Sequence, residues 1–87
     1  MNVQAEVSLY PLRTRELAGP VETFCQGLAR TGLDVETGPM STRIAGDLDA
    51  VFDGLRQAFR HVAERHDVVL AVKLSNCCAQ QHDRETP

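Results

Sequence analysis

A tight turn at the centre of the chain limits the folds that these 87 residues can form. A Gly-Pro step begins at position 38, and residues 33–37 before it and 41–45 after it alternate between apolar and polar side chains. This pattern is typical of a β-hairpin. Ser41 and Thr42 follow the turn, and two hydroxyls here either solvate the hairpin or belong to a ligand site. The sequence predicts a pair of antiparallel strands at its centre.

Two further strands and two helices are predicted on either side of the hairpin. Residues 3–10 alternate cleanly and predict a strand that ends at Pro11. A first helix is predicted over residues 20–31, with proline in its first turn and glycine after its end. A second helix begins near Asp47, and residues 68–76 predict the last strand. The apolar stripe of the second helix is formed by Leu48, Val51, Phe52, Leu55, Phe59, Val62 and Ala63.

The order strand, helix, strand, strand, helix, strand predicts the fold class. Two crossover units that share one sheet give an α+β, ferredoxin-like βαββαβ domain, in which two helices cover one face of a four-stranded antiparallel sheet. We expect this ligand-binding domain to span residues 1–78 and residues 79–87 to form a polar C-terminal tail. The second face of the sheet then meets solvent, a ligand or another subunit.

The two-residue period of the strands assigns side chains to that open face. If residues 3, 5, 7 and 9 face the helices, their polar neighbours face away. On the last strand, Val68, Leu70, Val72 and Leu74 are the expected core residues. The predicted open face carries Glu6, Ser8, Tyr10, Arg43, Val69, Ala71, Lys73 and Ser75. This mixture suits a subunit interface, a ligand cleft, or a cleft formed at an interface.

Charge, hydropathy and cysteine content exclude several functional classes. A net charge of -3 argues against binding nucleic acid through its phosphates. Without a long apolar run or a signal-peptide pattern, we expect a cytoplasmic protein with no direct membrane insertion. Three cysteines without a disulfide or metal-site spacing predict reduced thiols and no metal. Cys25 lies on a helical stripe that is expected to face the core, and no nucleophile has a histidine placed beside it, so no enzymatic activity is predicted.

Four segments also resemble a known family: VSLYPL at residues 7–12, TGLDVETGPMST at 31–42, AVFDGLRQAF at 50–59 and LSNCC at 74–78. They resemble the YkoF-like thiamine and hydroxymethylpyrimidine-binding family over most of the chain between Val3 and Cys78. The resemblance implies a ferredoxin-like fold and non-enzymatic binding of thiamine or its hydroxymethylpyrimidine moiety, without a cofactor, in pyrimidine and thiamine salvage or transport.

The number of domains in the chain affects which partners the resemblance implies, because a second domain can be supplied by a second chain. In the best-known form of the family two such domains lie in one chain, whereas this sequence carries a single one. A homodimer or homotetramer is the natural substitute. A transport system that receives the ligand is a further expected partner.

The chemistry of an aminopyrimidine selects candidate ligand-binding residues. Its exocyclic amine donates hydrogen bonds, its ring nitrogens accept them, and its flat face stacks on aromatic rings. Glu6 can accept from the amine, Asn76 can donate and accept, and Tyr10 offers a stacking surface. The hydroxyls complete the pattern, and a thioether and a thiol supply soft contacts. The predicted ligand-binding set is Glu6, Ser8, Tyr10, Met40, Ser41, Thr42, Ser75, Asn76 and Cys77.

Several of these residues have an ordinary structural alternative. Glu6 could instead form an exposed ion pair with Lys73 on a neighbouring strand. Ser75 and Asn76 could simply end a strand, and Tyr10 could pack at an interface. The alternative functions for the whole chain are small-molecule sensing, for example of an amino acid, and purely structural oligomerisation.

Overall fold

Six elements follow one another in the predicted βαββαβ order. The computed structural model describes residues 1–38 and 41–77. The elements are β1 (Asn2–Pro11), α1 (Ala18–Ala29), β2 (Asp34–Thr37), β3 (Thr42–Asp47), α2 (Leu48–Ala63) and β4 (Val68–Ser75). The predicted tail, residues 79–87, and the candidate Met40 lie outside the described residues.

The four strands form one antiparallel sheet in the order β2-β3-β1-β4. β1 pairs with β3 from Asn2 to Val7, and with β4 from Gln4 to Pro11. β2 and β3 pair as the predicted central hairpin. β1 therefore continues past the end of its pairing with β3. This stagger between the two strands positions the site described below.

Both helices pack on one face of the sheet, which confirms the predicted ferredoxin-like architecture. Alternate residues of β1 and one residue of β3 point toward the helices and are buried. The core consists of Val3, Ala5, Val7 and Ile44 from the sheet, Phe24 and Leu28 from α1, and Val51, Leu55, Ala58 and Val62 from α2. Because side chains alternate along a strand, this assignment places Glu6, Ser8 and Tyr10 on the other side of β1.

Local signals fix the ends of the helices. The side chain of Asp47 accepts a hydrogen bond from the backbone N–H of Asp49 at 3.1 Å, which confirms the predicted start of α2. Gly32 adopts a φ of 80° just beyond α1, a left-handed conformation that glycine adopts without steric cost. α1 itself begins two residues earlier than predicted, at Ala18. No helix within residues 1–38 and 41–77 is long and apolar enough to cross a membrane.

Five apolar side chains that were predicted to be buried are exposed, namely Phe52, Phe59, Ala63, Val72 and Leu74. Phe52 and Phe59 of α2 are 55% and 37% exposed, because they flank the narrower stripe that packs on the sheet. Val72 and Leu74 are each 41% exposed although they point to the helix side. β4 is an edge strand, and the helices leave its C-terminal half uncovered. The predicted burial of these five residues is therefore wrong.

Small residues allow the two helices to approach closely. A Cβ atom on Gly27 of α1 would lie 3.3 Å from both Cα and Cβ of Ala58 in α2. Leu33 fills the space above two further glycines, since a Cβ on Gly46 or Gly54 would lie 2.8 or 2.7 Å from its methyl carbons. The helix layer therefore depends on glycine at its contact points.

We predict that Gly27→Leu lowers the free energy of unfolding by about 1–3 kcal/mol, because the added side chain pushes α1 away from α2. Ala29→Leu is the matched control, since Ala29 is exposed on the same helix, and should change stability by less than about 0.5 kcal/mol. Urea denaturation followed by circular dichroism measures both values. Equal stability of the two variants would contradict the close helix contact.

Candidate functional site

A cleft lies where β1 extends beyond β3. The pairing of β1 with β3 ends at Val7 opposite Thr42, whereas its pairing with β4 continues to Pro11. The cleft has a volume of about 220 Å³. It is lined by Val7, Ser8, Leu9 and Tyr10 of β1, by Val21, Phe24 and Cys25 of α1, and by Thr37, Gly38, Ser41 and Thr42 of the hairpin. The cleft therefore lies between β1, α1 and the hairpin, beside the part of β1 that does not pair with β3.

The hairpin turn positions a polar pair at the mouth of the cleft. The backbone N–H of Gly38 donates to the carbonyl oxygen of Ser41 at 2.8 Å. A Cβ on Gly38 would lie only 3.1 Å from that oxygen, so glycine permits this close approach. The hydroxyl of Ser41 then donates to the carboxylate of Glu6 at 3.0 Å, across 35 positions of sequence. A carboxylate on the open face of the sheet is thereby joined to the cleft.

The inner wall of the cleft is less polar than its mouth. Thr42 is 7% exposed, and its hydroxyl lies 3.8 Å from the thiol sulfur of Cys25. Val7 and Phe24 beside them are buried. The cleft therefore offers one hydroxyl and one thiol within an apolar wall, and a carboxylate, a hydroxyl and an aromatic ring outside it. An apolar wall with a few polar groups is the composition that small-molecule sites commonly have.

The structure brings together five of the predicted ligand-binding residues. Ser8, Tyr10, Ser41 and Thr42 line the cleft, and Glu6 is joined to it through Ser41. Glu6 and Lys73 occupy paired positions on β1 and β4, but no ion pair within the described residues joins them. The alternative of a Glu6 to Lys73 ion pair is thus not adopted, and Glu6 bonds with Ser41 instead.

Ser75, Asn76 and Cys77 lie at the other end of the sheet. Ser75 pairs with Gln4, whereas Ser8 of the cleft pairs with Ala71. Four strand positions correspond to a distance of about 13 Å. The N–H of Cys77 donates to the hydroxyl of Ser75 at 3.0 Å in the bend that follows β4. Within one chain these three residues do not reach the cleft, and Ser75 ends its strand as the alternative interpretation proposed.

Cys25 is the cleft residue that sequence reasoning assigned elsewhere. Helical spacing placed it with Phe24 on a core stripe, but its side chain is only half-buried. The unequal predicted lengths of the strands over residues 3–10 and 41–45 were a usable signal, because a longer strand must extend past a shorter partner. The sequence does not show whether β1 extends past β3 at its N-terminal or its C-terminal end.

The described residues were also compared with the ligand arrangements of metal sites. Among residues 1–38 and 41–77, no three or more His, Cys, Asp or Glu side chains are placed to hold an ion. The chemical groups that the cleft presents are hydrogen-bond donors and acceptors, a ring face and a thiol.

Comparison with known proteins gives a family and a set of similar folds. A model of the YKOF-related family matches residues 2–81. A hypothetical protein of Methanocaldococcus jannascii is 30% identical, with a TM-score of 0.79 over 90% of this chain and 82% of that protein. A domain of unknown function from Bacillus cereus is 18% identical, with a TM-score of 0.82 over 100% and 91% of the two chains.

A protein of Thermotoga maritima, described as a candidate for thiamine biosynthesis or salvage, is 14% identical to this chain. Its TM-score is 0.84 over 98% of this chain and 97% of that one. No curated protein matches the chain. The two structures below 25% identity show that the fold is shared.

The position of Cys25 predicts a slow thiol reaction. In a Cys77→Ser, Cys78→Ser variant, we expect Ellman's reagent to react with Cys25 at least about tenfold more slowly in the folded protein than in denaturant, because access is restricted. In the matched Cys25→Ser, Cys78→Ser variant, the exposed Cys77 should react at similar rates in both conditions. Equally fast labelling of Cys25 and Cys77 in the folded variants would contradict the described cleft wall.

Proposed function

The chain belongs to the YKOF-related family, and we propose that its cleft binds thiamine or the hydroxymethylpyrimidine moiety of thiamine without converting it. The observation that carries this proposal is the hydrogen bond of 3.0 Å between Ser41 and Glu6 at the mouth of the cleft. Through this hydrogen bond, the carboxylate of Glu6 lies beside the hydroxyl of Ser41. In the proposed complex, the pyrimidine ring enters between β1 and the hairpin and meets both groups.

The polar groups match the edge of an aminopyrimidine. The exocyclic amine donates to the carboxylate of Glu6, and the hydroxyl of Ser41 is released from Glu6 to donate to a ring nitrogen. Ser8 adds a second hydroxyl on the β1 side of the cleft. A hydrogen bond with a charged partner contributes more than a neutral one, so Glu6 is expected to be the main determinant of recognition.

The apolar groups match the face of the ring. Tyr10 is 53% exposed and lines the cleft, so its ring is free to stack on a pyrimidine. Val7 and Phe24 provide the apolar wall behind it. A volume of about 220 Å³ accommodates one small ring. The thiazolium of thiamine then extends toward the open face, where the carboxylate of Glu6 favours a positive charge.

Two further observations support the proposal. The T. maritima protein of the same fold is described as a candidate for thiamine biosynthesis or salvage, a description that fits the same ligand class. Within the described residues, Cys25 is a potential nucleophile in the wall of the cleft, and the side chain that its thiol contacts by a hydrogen bond is the hydroxyl of Thr42 rather than a base. Binding without catalysis is therefore the function that we propose, as one step of thiamine or pyrimidine salvage or transport.

Isothermal titration calorimetry with thiamine and with hydroxymethylpyrimidine tests the proposal. We expect heat of binding with at least one of them, and a loss of affinity of about tenfold or more in Glu6→Gln and in Ser41→Ala. The first replaces a charged acceptor by a neutral one, and the second removes a hydroxyl donor. Ser75→Ala is the matched control, since Ser75 lies at the other end of the sheet, and should bind as the unsubstituted protein does. Absence of heat with both compounds would contradict the proposed ligand.

Protection of Cys25 from labelling gives an independent measurement. In the Cys77→Ser, Cys78→Ser variant, saturating ligand should slow the reaction of Ellman's reagent with Cys25, which lines the cleft. Nuclear magnetic resonance of the recovered ligand should show the compound unchanged. A chemically altered ligand would refute binding without catalysis, and unprotected Cys25 would place the ligand elsewhere.

A further inference from the structure

The two edges of the sheet differ in how they are protected against pairing with another chain. β2 forms one edge and has four residues, of which Asp34 and Glu36 are negatively charged. β4 forms the other edge and has eight residues, VVLAVKLS, of which only Lys73 is charged. Short length and charged side chains keep other chains from pairing with an edge strand. By this criterion the edge of β2 is protected and the edge of β4 is not.

The outer side of β4 offers backbone groups for pairing. β4 pairs with β1 along its whole length, from Val68 opposite Pro11 to Ser75 opposite Gln4. Within residues 1–38 and 41–77, no strand pairs with the other side of β4. On an edge strand, N–H and C=O groups point outward and can bind a further strand. β4 therefore presents a template that is eight residues long.

Exposed apolar side chains lie beside this edge, on the helix side of the sheet. Val72 and Leu74 of β4 are exposed there, and so are Phe52 and Phe59 of α2. On α2, the two phenylalanines lie about 100° and 120° around the helix axis from Ala58. Ala58 is the residue that meets Gly27 of α1. The phenylalanines therefore lie on the flank of α2 that faces away from α1, toward the edge of β4.

The two sets of side chains also lie at similar levels along the sheet. α2 begins directly after Asp47, which pairs with Asn2, and Phe59 lies about 16 Å further along the helix axis. Val72 pairs with Val7, five strand positions from Asn2, which is also a distance of about 16 Å. We call the four residues Phe52, Phe59, Val72 and Leu74 the α2–β4 strip. It is an exposed apolar surface that continues from α2 to the unpaired edge.

The charges around the strip are mainly positive. The paired neighbour of Lys73 on β1 is Glu6, whose carboxylate accepts a hydrogen bond from Ser41, and no ion pair among the described residues includes Lys73. A depression of about 370 Å³ on α2 is lined by Arg56, Phe59, Arg60, Ala63 and Glu64. β4 itself contains no carboxylate. This surface is therefore complementary to a partner with negative charge.

We propose that β4 binds an extended segment of another protein, which adds to the sheet as a fifth strand and alternates apolar with acidic side chains. Successive side chains of such a strand point to opposite faces of the sheet. Those on the helix side cover the α2–β4 strip. Those on the open side lie next to Lys73, where a carboxylate pairs with the lysine across the strands. Backbone hydrogen bonds supply affinity, and the alternate side chains supply specificity.

Two segments of this chain meet these requirements less well. A second copy of β4 has no carboxylate in residues 68–75, so Lys73 gains no partner of opposite charge when β4 pairs with itself. Residues 79–87, AQQHDRETP, include acidic side chains but no large apolar side chain that could cover the strip. A separate segment that is both acidic and apolar satisfies the two requirements together.

Titration with synthetic peptides tests the proposal. The probe is a blocked nine-residue peptide that alternates valine and glutamate. One matched control has lysine in place of glutamate, and the other has the valines and glutamates in separate blocks. We expect the alternating glutamate peptide to bind at least about threefold more tightly than the lysine peptide, because only its charges complement Lys73. The block peptide should bind at least about threefold more weakly as well, because its apolar side chains do not all reach the strip. Fluorescence anisotropy of labelled peptides measures these affinities.

Substitutions locate the peptide on β4. Lys73→Glu should reverse the preference, so that the lysine peptide binds more tightly than the glutamate peptide. Phe52→Gln removes an exposed ring of the strip and should weaken binding at least about threefold. Arg30→Glu makes the same change of charge as Lys73→Glu at an exposed position beyond the end of α1, and should keep the original preference. The urea midpoint of each variant identifies a folding defect.

Amide measurements on the unsubstituted protein complete the test. We expect the outward amides of β4 to exchange with solvent rapidly in the free protein and to become protected when the glutamate peptide binds, with the largest chemical-shift changes at residues 68–75. Outward amides that are already protected without peptide would overturn the proposal, because a second copy or residues 79–87 would then cover the edge. Absence of peptide binding, or equal binding of all three peptides, would also overturn it. The experiment contains no thiamine compound, so its outcome is independent of the proposed function.

Discussion

The register of β1 between its two neighbours is the constraint on which the rest of the structure depends. Val3, Ala5 and Val7 are almost fully buried against the helices. A shift of β1 by one residue would bring Glu6 and Ser8 into the core and expose Val3, Ala5 and Val7 to solvent. The free energy of burying these apolar side chains opposes that shift. The same register sets the open face and leaves β1 to continue past β3. The cleft follows from this choice of pairing.

A domain of this size has little interior in which to build a site. With 87 residues it buries a smaller fraction of its surface than larger domains do, and its core is filled by side chains of the sheet and the two helices. A binding site then forms at the end of a strand, where backbone pairing stops and side chains from different elements converge.

The sequence predicted the fold well because local chemistry determines each element. Each element is bounded by a signal that lies within a few residues of its end. These signals are the Gly-Pro pair of the hairpin, the cap at Asp47 and the glycine after α1. The burial of side chains at the edges of the helix layer and of the sheet was predicted poorly, as Phe59 of α2 and Leu74 of β4 show. The spacing of apolar residues does not indicate how much of the sheet a helix covers. The ligand-binding role of the candidate residues stays a prediction. Two of them, Ser41 and Glu6, lie together, whereas Asn76 lies beyond the far end of β4, because the sequence does not give the register between β1 and β4.

We propose that the end of β1 beyond β3 forms the ligand site. Titration of ¹⁵N-labelled protein with hydroxymethylpyrimidine, followed by amide chemical shifts, tests it most directly. The account predicts that the largest shifts fall on Ser8, Tyr10, Cys25, Gly38 and Ser41, which line the cleft, while amides of residues 75–77 change little. Shifts confined to residues 75–77, or no shifts at saturating concentrations, would contradict it.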